Sequence, residues 1–236
     1  MKAKNRLIIA LDFDHEDKAL RLVDALKGEV SLFKVGSELF TSSGPAVIKK
    51  IRDMGGEVFL DLKFHDIPNT AAKAAVAAAR LGAFIFNVHA LGGYEMMKKA
   101  AESAAEEAGR LNMAKPKVIA VTILTSTDEK ALRKIGINDK IEKIVLKLAG
   151  MAKEAGLDGV VASPHEARLI RKKLGRDFLI VTPGIRPAWA PANDQKRIAT
   201  PREAIEAGAD YIVVGRPVSA AKDPLAAAKS IREEIA

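Results

Sequence analysis

The sequence predicts a (β/α)8 barrel. Three observations carry that prediction. Eight short β-branched runs alternate with segments of helical period, the pattern of parallel β-α units. The 236 residues suffice for eight such units in a single domain over 1–236, and no composition shift or linker divides it. Charged residues gather where the strands end, the face on which barrels of this kind carry their active sites. A doubly wound open sheet is the competing architecture. It usually announces dinucleotide binding by a GxGxxG after the first strand, and no such motif follows Asp12.

The elements follow in order. The first strand, Leu7–Asp12, is an apolar run that closes on a carboxylate, and His15–Leu26 has helical spacing. The second strand, Leu32–Val35, carries Lys34, and Gly44–Met54 is its helix. The third, Val58–Lys63, is apolar except for Asp61 and Lys63. Pro68 then stops sheet pairing, and Asn69 or Thr70 is placed to cap an alanine-rich helix over Thr70–Leu81. Phe84–His89 with Gly93–Ala108, Val118–Leu124 with Asp139–Ala155, and Gly159–Ala162 with His165–Leu174 are the next three units. Phe178–Thr182 leads into a long loop, Gly184 to Thr200, before the helix Pro201–Ala207. Tyr211–Gly215 and Asp223–Glu234 complete the set.

Composition excludes several function classes. The chain has no cysteine, which removes disulfides, thiolate metal sites and cysteine nucleophiles together. The apolar part of MKAKNRLIIALDFD is too short for a signal peptide, and no stretch approaches a membrane span, so a cytoplasmic protein with no membrane partner is expected. The formal charge is +8, from 38 basic and 30 acidic residues. The basic residues are mixed with acids along helices and are not interleaved with aromatics. A small anion is therefore the expected partner and nucleic acid is not.

The stretch EVFLDLKFHDIPNT, Glu57 to Thr70, holds the densest chemistry. Residues two apart on a strand share a face and lie roughly 7 Å apart along it. Asp61 and Lys63 thus project side by side, with Asp66 just beyond. They could form the solvated face of an edge strand, but the strand is otherwise too apolar for an edge, and buried charges are costly unless paired or used. The neighbouring strand ends add Asp12, Lys34, Thr125, Arg186 and Arg216. Asp12 could instead cap the first helix, and Lys34 could neutralise Glu38. His89 reads as a satisfied buried histidine, and His15 and His165 as helix-start residues. No two histidines have metal-ligand spacing, so no metal site is expected.

The loops after the seventh and eighth strands are where barrels often bind phosphate. Gly215 allows close backbone approach, and Arg216 supplies a forked cation. The loop at 184–200, with Trp189 and the sole glutamine, Gln195, reads as a lid that closes over a phosphate.

Taken together, ALD at Asp12, FKVG at Lys34, DLKFHDIPNT, TPGIRP with a downstream DQKR, and VVGRP resemble the orotidine 5′-phosphate decarboxylase family from Leu7 to Pro217. The D-x-K-x-x-D element is shared with 3-hexulose-6-phosphate synthase and 3-keto-L-gulonate-6-phosphate decarboxylase, relatives that use magnesium. The HDIPNT continuation and the long lid with Gln195 point to the orotidylate branch. The resemblance implies a cofactor-free decarboxylase that converts orotidine 5′-monophosphate to UMP. It implies that Lys63 delivers a proton to C6 and that Asp61 sits beside the substrate carboxylate. Asp66 and Thr70 would reach the site of a partner subunit in a homodimer. Lys34 would join the charge row and touch the ribose, and Asp12, with Thr70 from the partner, would bind ribose hydroxyls. Thr125 would bond the pyrimidine edge, and Ile67 and Pro183 would line an apolar pocket for the leaving carboxylate. Arg186, Gln195, Gly215 and Arg216 would hold the phosphate. Such chemistry leaves an electron pair at C6 with little delocalisation, so a fixed cation that is also an acid is what it needs.

Overall fold

The structure, a computed structural model, describes residues 6–190 and 199–236. Eight parallel strands close into a barrel in the order β1 to β8: Leu7–Ala10, Leu32–Gly36, Glu57–Phe64, Ile85–His89, Lys117–Val121, Gly159–Val161, Leu179–Thr182 and Tyr211–Val214. The helices between them are α1 (Glu16–Ala25), α2 (Ser37–Ser43), α3 (Ala46–Asp53), α4 (Pro68–Arg80), α5 (Tyr94–Arg110), α6 (Glu129–Lys134), α7 (Ile141–Glu154), α8 (Pro164–Leu174), α9 (Pro201–Glu206), α10 (Arg216–Ser219) and α11 (Pro224–Glu234). The predicted barrel is thus present, with β1, β5 and β8 ending before the charged or polar residues assigned to their tips. Among the described residues no helix is long and apolar enough to cross a membrane.

Alternation along each strand builds two cores. Ile8, Ala10, Leu32, Phe59, Ile85, Ile119, Val181, Tyr211 and Val213 point inward and fill the barrel. Their neighbours, such as Leu7, Ile9, Phe33, Leu60 and Phe86, point outward against the helices. Each buried Leu, Ile or Phe contributes about 1.5–3 kcal/mol of transfer free energy. Alanines at 71, 75, 78 and 79 on α4 and at 100, 101 and 104 on α5 are buried, and their small side chains let these helices pack closely. Arg80 reaches Glu107 across that contact at 2.6 Å, and Arg110, one turn along α5, holds the same carboxylate at 2.7 Å.

The end of the barrel away from the site is closed by a repeated local device. Glu154-Ala155-Gly156-Leu157-Asp158 and Glu206-Ala207-Gly208-Ala209-Asp210 both end a helix on a left-handed glycine (φ 81° and 108°) and place an aspartate before the next strand. The Asp158 carboxylate accepts from the Val118 N–H at 2.8 Å, and Asp210 accepts from the Ile180 N–H at 2.8 Å. The backbone N–H groups of both aspartates donate back to the carbonyls of those same residues. Strand starts that would otherwise carry orphan donors are satisfied in pairs.

Among the described residues four helix starts, at α6, α8, α9 and α11, carry a side-chain cap. Ser163 with Glu166 and Thr200 with Glu203 form capping boxes, each with proline at the first helical position. After β3 the expected cap is corrected. Ile67 is the N-cap and α4 starts at Pro68, so Asn69 and Thr70 lie inside the first turn. Proline's fixed φ and missing N–H suit that first position better than a side-chain cap two residues later.

Candidate active site

The site is built from β1, β2 and β3. Parallel pairing puts Gly36 opposite Asp61 and Ala10 opposite Lys34. This register brings four charges into one alternating row. Lys34 Nζ lies 2.8 Å from Asp12 Oδ1 and 3.5 Å from Asp61 Oδ2, and Lys63 Nζ lies 2.7 Å from Asp61 Oδ1. Lys34 therefore pairs within the row and not with Glu38, and Asp12 serves the row and does not cap α1, whose N-cap is His15.

Space for the row comes from Gly36. A Cβ there would stand 2.9 Å from Lys34 Nζ and 3.4 Å from Asp12 Oδ1. Burial by itself pushes the Lys34 ammonium towards its neutral form. The carboxylates of Asp61 and Asp12 outweigh that penalty, and its pKa rises above the ordinary lysine value. Lys34 is thus a fixed cation.

Lys63 departs from strand geometry. Leu60 pairs with Phe86 and Phe64 with Val88, so four steps on β3 span two on β4, and β3 bulges by two residues. Within the bulge Lys63 takes φ 52°, in the left-handed region that costs a side-chain-bearing residue about 1–2 kcal/mol. Its N–H donates to Asn87 Oδ1 at 2.8 Å, and Asn87 Nδ2 donates to Asp61 Oδ1 at 2.6 Å. Asn87 is fully buried. Asn87 falls within the predicted strand Phe84–His89, and the sequence gives it no evident task. The available signal was an amide at an inward position of a strand that otherwise carries Ile85, Phe86 and Val88.

A cavity of about 630 Å³, its open mouth included, sits over the row. Lys34, Asp61 and Lys63 line one side, and Phe59, Val121, Val161, Pro183 and Val213 supply apolar walls, with Thr125 at the rim. Low-polarity walls strengthen the field of a nearby ammonium. The neighbouring cleft is lined by Arg186, Trp189, Arg216 and Lys222, so the two arginines assigned to phosphate come together. The space beside Gly215 adjoins Asp12 Oδ2, which a Cβ would approach to 3.8 Å. At the base of the long loop, Ile185 bridges Ala199 and the Arg186 N–H donates to the Ala199 carbonyl at 2.9 Å. Gln195 lies outside the described residues.

Three assigned residues do not meet the row within one chain. Asp66 is exposed and its carboxylate accepts from the Ile67 N–H at 2.7 Å, while Ile67 and Thr70 face outward at the start of α4. His89 is half-buried and accepts from the Leu91 N–H. Burial, then His65 and Lys63, hold its pKa below the usual value. Among the described residues no three His, Asp or Glu side chains converge as a metal-ligand group.

Known proteins share this sequence and fold over nearly the whole chain. A sequence profile described as "Orotidine 5'-phosphate decarboxylase / HUMPS family" matches residues 5–231. An orotidine 5′-phosphate decarboxylase of Syntrophotalea carbinolica is 56% identical over 236 residues, covering 100% of this chain and 97% of that protein. The Geotalea daltonii protein of the same name is 54% identical over 234 residues, covering 99% and 97%. The crystal structure of orotidine 5′-phosphate decarboxylase from Lactobacillus acidophilus superposes with a TM-score of 0.87 at 43% identity, covering 98% of this chain and 99% of that one. On these grounds the chain belongs to the orotidine 5′-phosphate decarboxylase / HUMPS family.

Proposed function

We propose that the protein decarboxylates orotidine 5′-monophosphate to UMP, the last step of pyrimidine nucleotide synthesis, without metal or organic cofactor. The observation that carries this reading is the Lys34–Asp61–Lys63 row beneath an apolar-walled cavity. In this reading the phosphate sits between Arg186 and Arg216, and the pyrimidine enters the cavity with its carboxylate towards Asp61. The C–C bond to the carboxylate breaks, carbon dioxide leaves, and the electron pair remains at C6. Lys63 stabilises that pair electrostatically and gives it a proton. Lys34 holds Asp61 in place, and Asp12 binds ribose hydroxyls. The remote phosphate supplies binding energy that orders the site, with the 184–200 loop closing over it and Gln195 contributing a neutral donor. Thr125 bonds the pyrimidine edge, Pro183 shapes the pocket, and Gly215 lets the ligand pass close to the backbone.

We further infer a homodimer with shared sites. Ile67 is 67% exposed, and Leu91, Tyr94 and Leu124 are exposed around the same strand ends. A partner covering that apolar margin would remove it from water and bring its own Asp66 and Thr70 towards Lys63.

The test uses chelator-treated protein and orotidine 5′-monophosphate, with loss of substrate absorbance followed and UMP identified as product. Turnover that persists without metal and disappears in Lys63→Ala supports the reading. No turnover until magnesium and a keto-sugar phosphate are supplied would place the chain in the other branch of the family. A change in Trp189 fluorescence on UMP binding is the expected sign of loop closure.

A further inference from the structure

We propose that Asn87 is a positioning residue for the decarboxylation: its side-chain amide sets the left-handed backbone of Lys63 and the orientation of the Asp61 carboxylate at once. This deepens the function proposed above and rests on it.

The geometry admits only one orientation of the amide. Asn87 Oδ1 accepts the Lys63 N–H at 2.8 Å, and Nδ2 donates to Asp61 Oδ1 at 2.6 Å. A flipped amide would set N–H against N–H and carbonyl against carboxylate. The need for this amide comes from the bulge. Between the Leu60–Phe86 and Phe64–Val88 pairs the ladder register shifts, so β4 offers Lys63 a side-chain acceptor in place of a backbone one. Lysine has no intrinsic preference for φ 52°, and this hydrogen bond compensates part of that cost.

The second hydrogen bond divides the labour of Asp61. Its Oδ1 receives both Lys63 Nζ, at 2.7 Å, and the Asn87 amide, while Oδ2 faces Lys34. The carboxylate cannot rotate without giving up both partners. The cation at 63 is therefore anchored at its backbone and at its tip through one buried side chain. Asparagine fits because it carries one donor and one acceptor on a short, rigid stem. A leucine of similar size offers neither group.

The experiment compares the wild type with Asn87→Ala and Asn87→Asp. For Asn87→Ala, kcat should fall by about 100-fold or more, as expected when a reacting group is misplaced, with KM changed by less than about threefold. For Asn87→Asp, the acceptor for Lys63 remains but the new carboxyl faces Asp61. The like charge of Asp61 raises the pKa of the new carboxyl, so it gains its proton as pH falls below neutral, and only the protonated form can donate. Activity of this variant should therefore rise as pH falls from about 7 to about 5, a limb the wild type lacks. Where the alanine variant does not fold, the aspartate variant decides by that pH profile. Wild-type kcat in Asn87→Ala, or no new pH limb in Asn87→Asp, would overturn the proposal. Crystal structures supply a readout free of activity. The expected result is that Lys63 leaves the left-handed region in Asn87→Ala, and retention of both its φ and its contact with Asp61 would also overturn it. If the wild type itself does not turn over orotidine 5′-monophosphate, the functional reading fails, and these structures still decide whether Asn87 positions Lys63.

Discussion

The Lys63 ammonium and the Asp61 carboxylate meet at 2.7 Å although they belong to one strand, two residues apart. A bulged β3, and not a regular one, makes this contact. Asp61→Asn keeps the shape and one acceptor for Lys63 and Asn87, but it turns a donor towards Lys34 and removes the charge that balances two lysines. Decarboxylation should fall by at least about 10³-fold, since the charges that fix the proton donor are no longer matched. Steady-state kinetics on orotidine 5′-monophosphate, beside the melting temperature, check this. Activity within tenfold of the wild type would remove Asp61 from the mechanism.

Gly36 is required for its emptiness and not for its backbone, whose φ of −94° any residue adopts. Gly36→Ala should therefore fold, with a melting temperature within about 2 °C of the wild type. The added Cβ crowds Lys34 Nζ and Asp12, so kcat/KM should drop by about tenfold or more. A variant that loses stability but keeps its kinetics would show that the gap is a packing feature only.

Shared sites predict complementation. Lys63→Ala and Asp66→Asn should each be nearly inactive alone. Mixed under conditions that allow subunit exchange, they should regain activity, because a hybrid dimer holds one site with both groups intact. Sedimentation establishes the dimer, and no recovery despite demonstrated exchange would count against Asp66 acting across subunits.

Asp158 and Asp210 should matter for stability alone. Replacing either by alanine leaves a buried strand N–H without its partner, at a cost of about 1–3 kcal/mol. The two changes lie at separate strand pairs and should add. Urea unfolding measures the loss, and kcat should stay at the wild-type level because both residues lie at the far end of the barrel.

Glu107 sets part of the acid response. Hydrogen bonds from Arg110 and Arg80 hold its carboxyl at about 2, against a usual 4.5. A carboxyl depressed in this way stabilises the fold above its unfolded value, and the contribution disappears as pH falls through the window from 4.5 to about 2. Glu107→Gln should lower stability at neutral pH and flatten the acid side of the stability curve within that window. Melting temperatures from pH 7 to pH 2 test this, and an unchanged slope would contradict it.

The barrel was legible in the sequence because its signals are local and repeated. Each strand is a short β-branched run, each helix has its own period, and the charged tips recur at strand ends. Asp12, Lys34, Asp61 and Lys63 could be assigned to one face for the same reason: strand direction and side-chain alternation follow from the chain alone. The resemblance carried by DLKFHDIPNT added their roles.

What tertiary structure decided depends on register between strands distant in sequence. Periodicity placed Asp61 and Lys63 on one face, but whether they touch depends on a two-residue bulge measured against β4. The partner of the Lys63 N–H is a side chain 24 residues away, and no pattern in β3 announces it. Gly36 reads locally as a strand end, and only the folded barrel shows that its missing Cβ is the space in which Lys34 meets Asp12. Local chemistry thus determined which groups reach the open end of this barrel, and packing between strands decided which of them are held in contact.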